Sequence, residues 1–392
     1  MAAKGRPPIY LDYNATAPVL PVVAERMQAA LTGLPGNPSS PHRYGQSAKD
    51  VLEGARESLA ALLGFNRREI TFTSGGSEGN TMLLRWPGLA EEAAHIITSP
   101  IEHPSVLRTC EWLSGRGVEV SYLPVNGRGV VEVEAVTGLL RPETRIVSLM
   151  TANNETGVIQ PVAELARLVR AHESGRRVFV HTDAVQAFGR IPLPLRDWDV
   201  DAVTLAAHKL GGPKGIGVVA LRGNWPLPGL VLGGEQERGL RAGTESVFLV
   251  EGMLAAAEWA WPRLEEERRR LEGLRDRLAG QLEACGGFFL NGGEVRRLPN
   301  TANLGFAGVP AQSLLVAMDL AGVAVSTGSA CQSGAVEPSH VLTAMGLPEE
   351  RVGASLRISL GHGSSEADVD RCAAVMLAEV ARLRRSASRY AS

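Results

Sequence analysis

The feature that most constrains the fold is an alternation of short apolar runs with amphipathic stretches across residues 70–222. The apolar runs that we interpret as strands lie at 70–74, 95–99, 118–123, 145–150, 178–182, 201–206 and 217–221. Several of them are apolar at successive positions, which is typical of strands that are covered on both faces. The intervening segments, such as 161–174, carry apolar residues at helical spacing. The pattern predicts an α/β fold with a mostly parallel seven-stranded sheet and helices on both sides.

The pattern changes after residue 245. A long helical stretch covers about 245–282, and short strands at 301–306, 323–326 and 356–360 then mix with helices at 310–320, 338–345 and 365–385. A chain of 392 residues is long enough for two domains. We therefore predict a large domain at 1–262, which includes an N-terminal arm, and a smaller α+β C-terminal domain at 263–392.

Charge and cysteine content exclude several classes of protein. The net charge is −2, with both signs spread along the chain, so no basic surface for nucleic acid or an anionic membrane is expected. The amino terminus lacks the apolar core of a signal peptide, and no run of about 18 apolar residues occurs. The cysteines include no CxxC pair, so neither a disulfide framework nor a zinc site is supported; they are Cys110, Cys285, Cys331 and Cys372. We expect a cytoplasmic protein.

Lysine is scarce in this chain. Only four lysines accompany 36 arginines, and they are Lys4, Lys49, Lys209 and Lys214. Codon bias is the plainer interpretation of the ratio, but a guanidinium cannot become a nucleophilic amine, whereas lysine can. Lys209 directly follows the strand at 201–206 and precedes a glycine-rich turn, which is where parallel sheets expose their ligand crevice. Lys209 is thus a candidate for a Schiff base, with a surface lysine in a turn as the alternative.

Three further candidates follow predicted strands. Asp183 follows the strand at 178–182 and has the chemistry to pair with a pyridinium nitrogen, although a helix N-cap is the plainer interpretation. Gln186 lies one helical turn further on. The loop 73–80 (TSGGSEGN) supplies glycines and a helix N-terminus suited to phosphate, without a P-loop pattern. His103 lies past the strand at 95–99, where an imidazole can stack on a ring; a structural histidine is the alternative.

The carboxyl-terminal part contributes a cysteine and an arginine. Cys331 lies among small and polar residues that offer little packing, so it is either a nucleophile or a tolerated exposed thiol. Arg357 lies in a predicted strand and is suited to binding a carboxylate through two hydrogen bonds, or else is structural. Each of these signals is weak alone.

Taken together, ten ordered motifs resemble the NifS/IscS-like cysteine desulfurases of the class V aminotransferase family, over nearly the whole chain. The motifs are YLDYNATAP (10–18), GNPSSPH (36–42), TFTSGGSEGN (71–80), EHPSV (102–106), NNETG (153–157), HTDAVQ (181–186), AHKLGGPKGIG (207–217), RAGTES (241–246), GSACQSGAVEPSHVL (328–342) and RISLG (357–361). The resemblance implies a fold type I enzyme that depends on pyridoxal 5′-phosphate (PLP).

The resemblance also implies roles for individual residues. Lys209 forms the Schiff base, Asp183 pairs with the pyridine nitrogen, and His103 stacks on the ring and assists proton transfer. Asn154 and Gln186 contact the ring and its phenolic oxygen, and Asn154 also lies at the substrate. The phosphate is bound by Gly76, Ser77 and His208, together with Thr244 from the other subunit of a homodimer. Arg357 binds the substrate carboxylate, and Cys331 attacks the substrate sulfur.

The implied reaction converts L-cysteine to L-alanine and leaves a persulfide on Cys331. The GSAC loop resembles the group that supplies sulfur to iron–sulfur assembly, so the implied partner is a sulfur-acceptor protein such as an iron–sulfur scaffold. Cys331 is then also the candidate for transient contact with a nascent cluster, and no other metal site is expected.

Two departures from the family pattern are present. Ala206 stands where the family commonly has a phosphate-binding serine, and Gly76-Ser77 replaces the usual Ala-Thr. Two alternatives stay open on the sequence alone. One is another class V enzyme, such as a transaminase, an epimerase or a selenocysteine-preferring lyase, and the other is a scaffold that binds the cofactor without turnover.

Overall fold

A computed structural model of the protein describes residues 7–89, 92–172, 177–328 and 337–390. The strands are β1 (Ile9–Tyr10), β2 (Ile70–Thr73), β3 (His95–Thr98), β4 (Glu119–Tyr122), β5 (Thr144–Ser148), β6 (Phe179–Asp183), β7 (Ala202–Ala206), β8 (Gly217–Leu221), β9 (Phe288–Asn291), β10 (Thr301–Phe306), β11 (Val323–Ala324) and β12 (Ser355–Ser359). The helices are α1 (Pro21–Gly33), α2 (Arg43–Leu63), α3 (Gly76–Leu84), α4 (Pro104–Ser114), α5 (Val136–Leu139), α6 (Val162–Ala171), α7 (Val247–Ala260), α8 (Leu264–Glu283), α9 (Ala311–Leu320), α10 (His340–Ala344), α11 (Glu349–Gly353) and α12 (Glu366–Tyr390).

The large sheet contains the seven strands predicted from the sequence. Their order is β2-β8-β7-β6-β5-β3-β4. The pairings β3–β4, β3–β5, β5–β6 and β6–β7 are parallel, and β8 is antiparallel to both of its neighbours. The predicted α/β fold with a mostly parallel sheet is confirmed. Because six strands run in one direction, their carboxyl ends meet at a single edge of the sheet.

Both faces of this sheet are covered, as the continuous apolar runs predicted. On β3, β5 and β6, neighbouring residues enter different cores: Ile96, Ile146 and Phe179 pack with residues of α3 and α4, whereas Ile97, Val147 and Val180 pack with residues of α1, α2, α6 and α7. Side chains alternate across a strand, so a strand that is apolar at every position is stable only when both faces are dry.

A second core lies in the carboxyl-terminal part. The antiparallel sheet β12-β10-β9 packs against apolar side chains of α8, α9 and α12. The amino-terminal strand β1 pairs in parallel with β11, and Ile9 and Leu11 enter this same core. Strands predicted at 301–306, 323–326 and 356–360 are present, whereas the sequence missed β1 and β9. Two residues are too few for a periodic signal, which explains the omission of β1.

The single helix predicted at 245–282 is wrong in one respect. The structure has two helices, α7 and α8, joined by a 3₁₀ turn at Trp261–Arg263. Pro262 lies within this turn, and proline removes a backbone donor and clashes with the preceding turn of an α-helix. The break coincides with the domain boundary that we predicted at 262/263, and the division into two domains stays a prediction.

Candidate active site

Residues that the sequence singled out follow five strands of the large sheet at their shared carboxyl edge. Gly76 follows β2, His103 follows β3, Asn154 follows β5, Asp183 ends β6 and Lys209 follows β7. Hydrogen bonds through Asn80 and Ser105 join the side chains of Asp183 and His103, and the Lys209 amine is joined through Asn14 to the backbone carbonyl of Asn154. These two hydrogen-bonded groups at the sheet edge are together called the cluster. Parallel α/β sheets bind their ligands at this edge.

Lys209 lies in the 3₁₀ turn Ala207–Lys209 that directly follows β7. Its Nζ donates to the carbonyl oxygens of Asn14 at 2.6 Å and Ala15 at 2.7 Å. Burial, followed by the nearby charges of Arg190 and Arg357, lowers the pKa of this amine to about 7. Lys49 and Lys214, in contrast, are exposed. Lys209 therefore supplies a largely buried amine, and a substantial fraction of it is neutral at physiological pH.

A hydrogen-bonded chain joins Asp183 to His103. The Nδ2 of Asn80 donates to Asp183 Oδ2 at 2.7 Å and to the hydroxyl of Ser105 at 2.9 Å. The Ser105 hydroxyl lies 2.8 Å from His103 Nδ1. The second carboxylate oxygen of Asp183 accepts from the backbone N–H of Val185 at 2.9 Å, so the carboxylate is fixed at both oxygens.

His103 caps the amino terminus of α4. Its Nδ1 accepts from the backbone N–H of Ser105 at 3.1 Å, which leaves the proton of the neutral ring on Nε2. Burial lowers the pKa of His103; the charge of Asp183 opposes this shift, and that of Lys209 adds to it. The imidazole is therefore neutral at pH 7 and lies within electrostatic range of both Asp183 and Lys209.

Asn14, in the amino-terminal segment, links the large sheet to the carboxyl-terminal part. Its Nδ2 donates to the Asn154 carbonyl at 3.2 Å and to Thr301 Oγ1 at 2.9 Å. Its own carbonyl accepts from Gln186 Nε2 at 3.0 Å as well as from Lys209. The Gln186 amide thus faces Asn14, and its Oε1 accepts from Arg190 at 2.6 Å.

Arg357 is buried in β12 and reaches the same cluster. Its Nη2 forms an ion pair with Asp12 at 2.7 Å, and its Nη1 donates to the Asn154 carbonyl at 3.0 Å. Two polar atoms here, Arg357 Nε and Asn154 Oδ1, are buried without a hydrogen-bond partner among the described residues. Buried polar atoms are rarely left unpaired, and a polar ligand would supply a partner for both of these atoms.

The loop between β2 and α3 forms a close backbone approach. A Cβ on Gly76 would lie 2.8 Å from Val185 Cγ2, and one on Gly217 would lie 2.7 Å from the Cα of Gly75. Helix α3 starts at Gly76, and its second residue, Ser77, is exposed. Glycine at the N-cap leaves the first N–H groups of the helix without a side-chain acceptor, which suits an anion.

The remaining predicted residues occupy varied positions. His208 Nδ1 lies 3.3 Å from Thr16 Oγ1, and burial, followed by the charge of Lys209, lowers the pKa of His208 to about 4. Thr244 is exposed, and its hydroxyl lies 3.5 Å from Asn37 Nδ2.

Cys331 lies outside the described residues. Burial raises the pKa of both Cys110 and Cys372 to about 12, so neither thiol is a nucleophile near pH 7.

Sequence reasoning missed several members of the cluster, namely Asp12, Asn14, Asn80 and Arg190. Asp12 and Asn14 belong to the motif YLDYNATAP, and Asn80 belongs to TFTSGGSEGN, but none of the three was assigned a role from the sequence. Arg190 is four residues after Gln186, a helical spacing that would have been the signal for it.

The described residues contain no group of three or more His, Cys, Asp or Glu side chains that could hold a metal ion. None of the helices within the described ranges is long and apolar enough to cross a membrane.

Comparison with known proteins gives a consistent result. The profile of the family "Aminotransferase class-V" matches residues 9–372. A cysteine desulfurase of Gluconacetobacter diazotrophicus is 44% identical over 380 residues, 96% of this chain and 94% of the relative. A cysteine desulfurase IscS of Methanosarcina thermophila is 41% identical over 378 residues, 96% of this chain and 93% of the relative. A solved NifS-like protein superposes with a TM-score of 0.90 at 36% identity, covering 96% of this chain and all of the other.

The chain belongs to the class-V aminotransferase family of fold type I PLP enzymes. Within that family, the curated relatives reported above are cysteine desulfurases. The residues at the sheet edge fit PLP: an amine of low pKa, a fixed carboxylate, an uncapped helix N-terminus and two unpaired buried polar atoms. These are the groups that an aldehyde, a pyridine nitrogen and a phosphate require.

Proposed function

We propose that this protein is a PLP-dependent cysteine desulfurase that converts L-cysteine to L-alanine and transfers the sulfur to Cys331 as a persulfide. The observation that carries the proposal is Lys209, a buried amine whose pKa is lowered to about 7 beside Asp183 and His103. The near full-length similarity to cysteine desulfurases supports the choice of substrate.

The cluster would hold PLP through complementary groups. Lys209 would bind the aldehyde carbon, and Asp183 would keep the ring nitrogen protonated. His103 would lie against the ring, with Asn154 and Gln186 at its polar edge. Gly76, Ser77 and His208 would bind the phosphate, and Thr244 of a second subunit would complete that site. When bound, PLP withdraws electrons from the bonds at the substrate α-carbon.

The chain's own residues would then perform three tasks. Arg357 would bind the substrate carboxylate, using the donor that lacks a partner among the described residues. Lys209 and His103 would move protons at the substrate carbons, because both are neutral to a useful extent at pH 7. The Cys331 thiolate would attack the cysteine sulfur: an S–S bond forms and the C–S bond breaks. The bonding electrons pass to the β-carbon, which takes up a proton to become the methyl group of alanine.

The same proposal extends to the oligomeric state, the cellular compartment, the partner and the domain division of the protein. We infer a homodimer in the cytoplasm and a sulfur-acceptor protein such as an iron–sulfur scaffold. We also infer a large PLP-binding domain at 1–262 and a small domain at 263–392 that carries the Cys331 loop. The net charge of −2, with both signs spread along the chain, supports a protein partner over a nucleic acid or an anionic membrane.

The test is an assay of alanine and sulfide produced from L-cysteine in the presence of a thiol reductant, with selenocysteine alongside. Wild type is expected to form the two products in equal amounts. Cys331→Ala should keep the visible absorbance of bound PLP and lose both products, whereas Lys209→Ala should lose the absorbance as well.

Cys285→Ala is the matched control, because Cys285 is a partly exposed thiol elsewhere in the chain. It should behave as wild type. Undiminished alanine and sulfide from the Cys331 variant would exclude the proposed mechanism. Turnover of selenocysteine alone would favour the alternative of a selenocysteine-preferring lyase.

A further inference from the structure

Arg190 is a buried arginine at the centre of the cluster around Lys209. Only 7% of its surface is exposed. Its Nη1 donates to Asn14 Oδ1 at 2.9 Å and to Gln186 Oε1 at 2.6 Å. Its Nη2 donates to the carbonyl oxygen of Lys209 at 3.1 Å. The guanidinium therefore touches the residue that carries the reactive amine and two residues that surround it.

None of the hydrogen bonds that Arg190 makes to described residues reaches a carboxylate. The two remaining acceptors are the carbonyl oxygens of Gln186 and Tyr13, at 3.2 and 3.3 Å. Arg56 provides the contrast, since it is equally buried but forms two hydrogen bonds to Glu237, at 2.7 and 2.8 Å. A buried charge without a counter-charge is unfavourable for folding. Arg190 is thus costly as a purely structural residue.

We propose that Arg190 is a positioning residue for Lys209: its uncompensated charge disfavours protonation of the Lys209 amine, and its hydrogen bonds hold the Lys209 turn against Asn14. The inference rests on the proposed role of Lys209 in binding PLP. An amine condenses with an aldehyde only in its neutral form, so a cation held beside it prepares the amine for the cofactor.

The other charged groups around Lys209 do not replace this effect. Arg357 also repels the amine's proton, and Asp12 attracts it, but these two form an ion pair with each other. Asp183 attracts the proton too, and the neutral donors of Asn80 and a backbone N–H leave its charge in place, but its effect on the Lys209 pKa is smaller than that of Arg190. His103 and His208 both have lowered pKa values and are neutral at pH 7.

The pKa of Lys209 is lowered, which is the direction expected for an amine close to the Arg190 guanidinium. Burial is the largest cause of the low pKa of Lys209, and Arg190 is the second. Burial and the charge of Arg357 lower the pKa of Arg190 itself to about 9, so that the guanidinium still carries its proton at pH 7. A lysine at this position would give up its proton more readily than arginine.

The small number of lysines makes a direct measurement practical. The full-length chain without PLP would be reductively methylated with ¹³C-formaldehyde, and the dimethyl-lysine signals would be titrated by NMR. The spectrum of Lys209→Ala assigns the Lys209 signal. In wild type that signal should titrate near 7, well below the value of about 10.4 for an ordinary lysine. In Arg190→Gln its pKa should rise by at least about one unit, a tenfold fall in the acid dissociation constant.

The matched control is Arg275→Met, which removes another buried arginine, one that is paired with Glu272 and Asp276 on α8. The pKa of Lys209 measured from its NMR signal should be the same in this variant as in wild type. Arg190→Lys is the second test variant, because it keeps a hydrogen-bond donor and is more conservative for the fold. It should raise the pKa of Lys209 by a smaller amount than the glutamine variant does.

A second readout separates positioning from a purely structural role. Uptake of PLP by the cofactor-free chain should be about fivefold slower or more at pH 7 in Arg190→Gln than in wild type, because a rise of the Lys209 pKa from about 7 to about 8 lowers the neutral fraction from about one half to about one tenth. Uptake should recover at pH 9, where the amine regains its neutral fraction. A general loss of structure would slow uptake at both pH values.

The two proposals fail in distinguishable ways. If wild type does not take up PLP at all, the proposed function is wrong. If wild type takes up PLP but Lys209 titrates with the other lysines, or its pKa is unchanged in a folded Arg190 variant, the role of Arg190 is wrong.

Discussion

Arg357 Nη2 lies 2.7 Å from Asp12 Oδ1, so the arginine proposed to bind the substrate is already held by an acid of the amino-terminal segment. The two residues are 345 positions apart in the sequence. Strand β1 brings them together, because its pairing with β11 carries the following residues into the carboxyl-terminal part. Asp12 fixes one guanidinium nitrogen and the Asn154 carbonyl a second, and the Nε has no partner among the described residues.

Arg357→Lys is therefore expected to weaken substrate binding more than catalysis. A lysine has a single nitrogen and cannot hold Asp12 and the Asn154 carbonyl while it also offers the free Nε donor. Loss of one hydrogen bond to a charged group, about 1.5–3 kcal/mol, corresponds to a KM for L-cysteine raised roughly 10- to 150-fold. The absorbance of bound PLP should not change. Steady-state kinetics of alanine formation measures the effect. Arg277→Lys, at an exposed arginine that pairs with Asp370, is the control, and an unchanged KM in Arg357→Lys would refute the assignment.

Glu155 lies against two described residues that flank residues 329–336, one of which it binds through a hydrogen bond. The Ser339 hydroxyl donates to Glu155 Oε2, and a Cβ on Gly328 would lie 3.0 Å from the same oxygen. Burial raises the pKa of Glu155, and the Ser339 hydrogen bond opposes that shift. Cys331 lies between these two positions in the sequence, so Glu155 is next to the described residues on both sides of the segment that carries the proposed nucleophile.

Glu155→Ala should lower kcat for alanine formation by about tenfold or more, since displacement of a reacting group by about 1 Å is enough for such a loss. PLP binding, followed by its absorbance, should be retained. Glu155→Gln should cost less because it keeps an acceptor for Ser339. Glu164→Ala, at an exposed position on α6, is the control. Equal kcat values for the two Glu155 variants and wild type would contradict this role.

Ala206 ends β7 where the family commonly has serine, and its side chain is fully buried. Ala206→Ser should tighten PLP binding by about three- to tenfold, because one added hydrogen bond to a charged phosphate contributes about 1 kcal/mol or slightly more. Equilibrium titration of the cofactor-free chain with PLP gives the dissociation constant. Ala202→Ser adds the same hydroxyl on the same face at the other end of the strand and should bring no gain. Weaker binding in Ala206→Ser would show that the cavity has no room for the hydroxyl.

Buried histidines away from the proposed site predict acid sensitivity of the fold. Burial lowers the pKa of His95 to about 4, while the unfolded chain titrates near 6.5. Between these values the unfolded state binds more protons, so the stabilising contribution is complete above pH 6.5 and is lost as the pH falls toward 4. The unfolding free energy of wild type should fall on going from pH 7 to pH 4.5, and in His95→Gln this fall should be smaller by roughly 2 kcal/mol.

Urea denaturation at several pH values measures this difference in slope. Glu102 acts in the opposite sense: burial raises its pKa to about 8, so its protonated form stabilises the fold at low pH and this contribution is lost as the pH rises through 8. Identical slopes for His95→Gln and wild type would refute the assignment of this acid sensitivity to His95.

Much of the architecture could be predicted because it depends on local patterns. The runs at 145–150 and 178–182 contain apolar residues at successive positions, Ile146-Val147 and Val178-Phe179-Val180, which is typical of strands covered on both faces. The helix at 161–174 was equally accessible from its periodicity and appears as α6. The prediction of an uninterrupted helix at 245–282 was wrong because Pro262 lies in the 3₁₀ turn that separates α7 from α8, and the leucine spacing does not report this break.

The candidate site was predictable only in part, for a physical reason. Lys209, Asp183 and His103 follow strands, so their chemistry and position were visible in the local sequence. Asn14 and Arg190 act through contacts with residues up to 345 positions away, and no local pattern encodes such contacts. Their importance became visible only with their hydrogen-bond partners.

The sequence by itself determined which elements form and which side chains offer an amine, a carboxylate and a thiol, because hydrophobic periodicity and side-chain chemistry are local properties. Only the tertiary structure decided how those groups behave. The pKa of Lys209 depends on its burial and on the distance to Arg190, and the orientation of Arg357 depends on Asp12. Desolvation and Coulomb interactions act through space, so they are settled by the packing of distant segments and not by the order of residues along the chain.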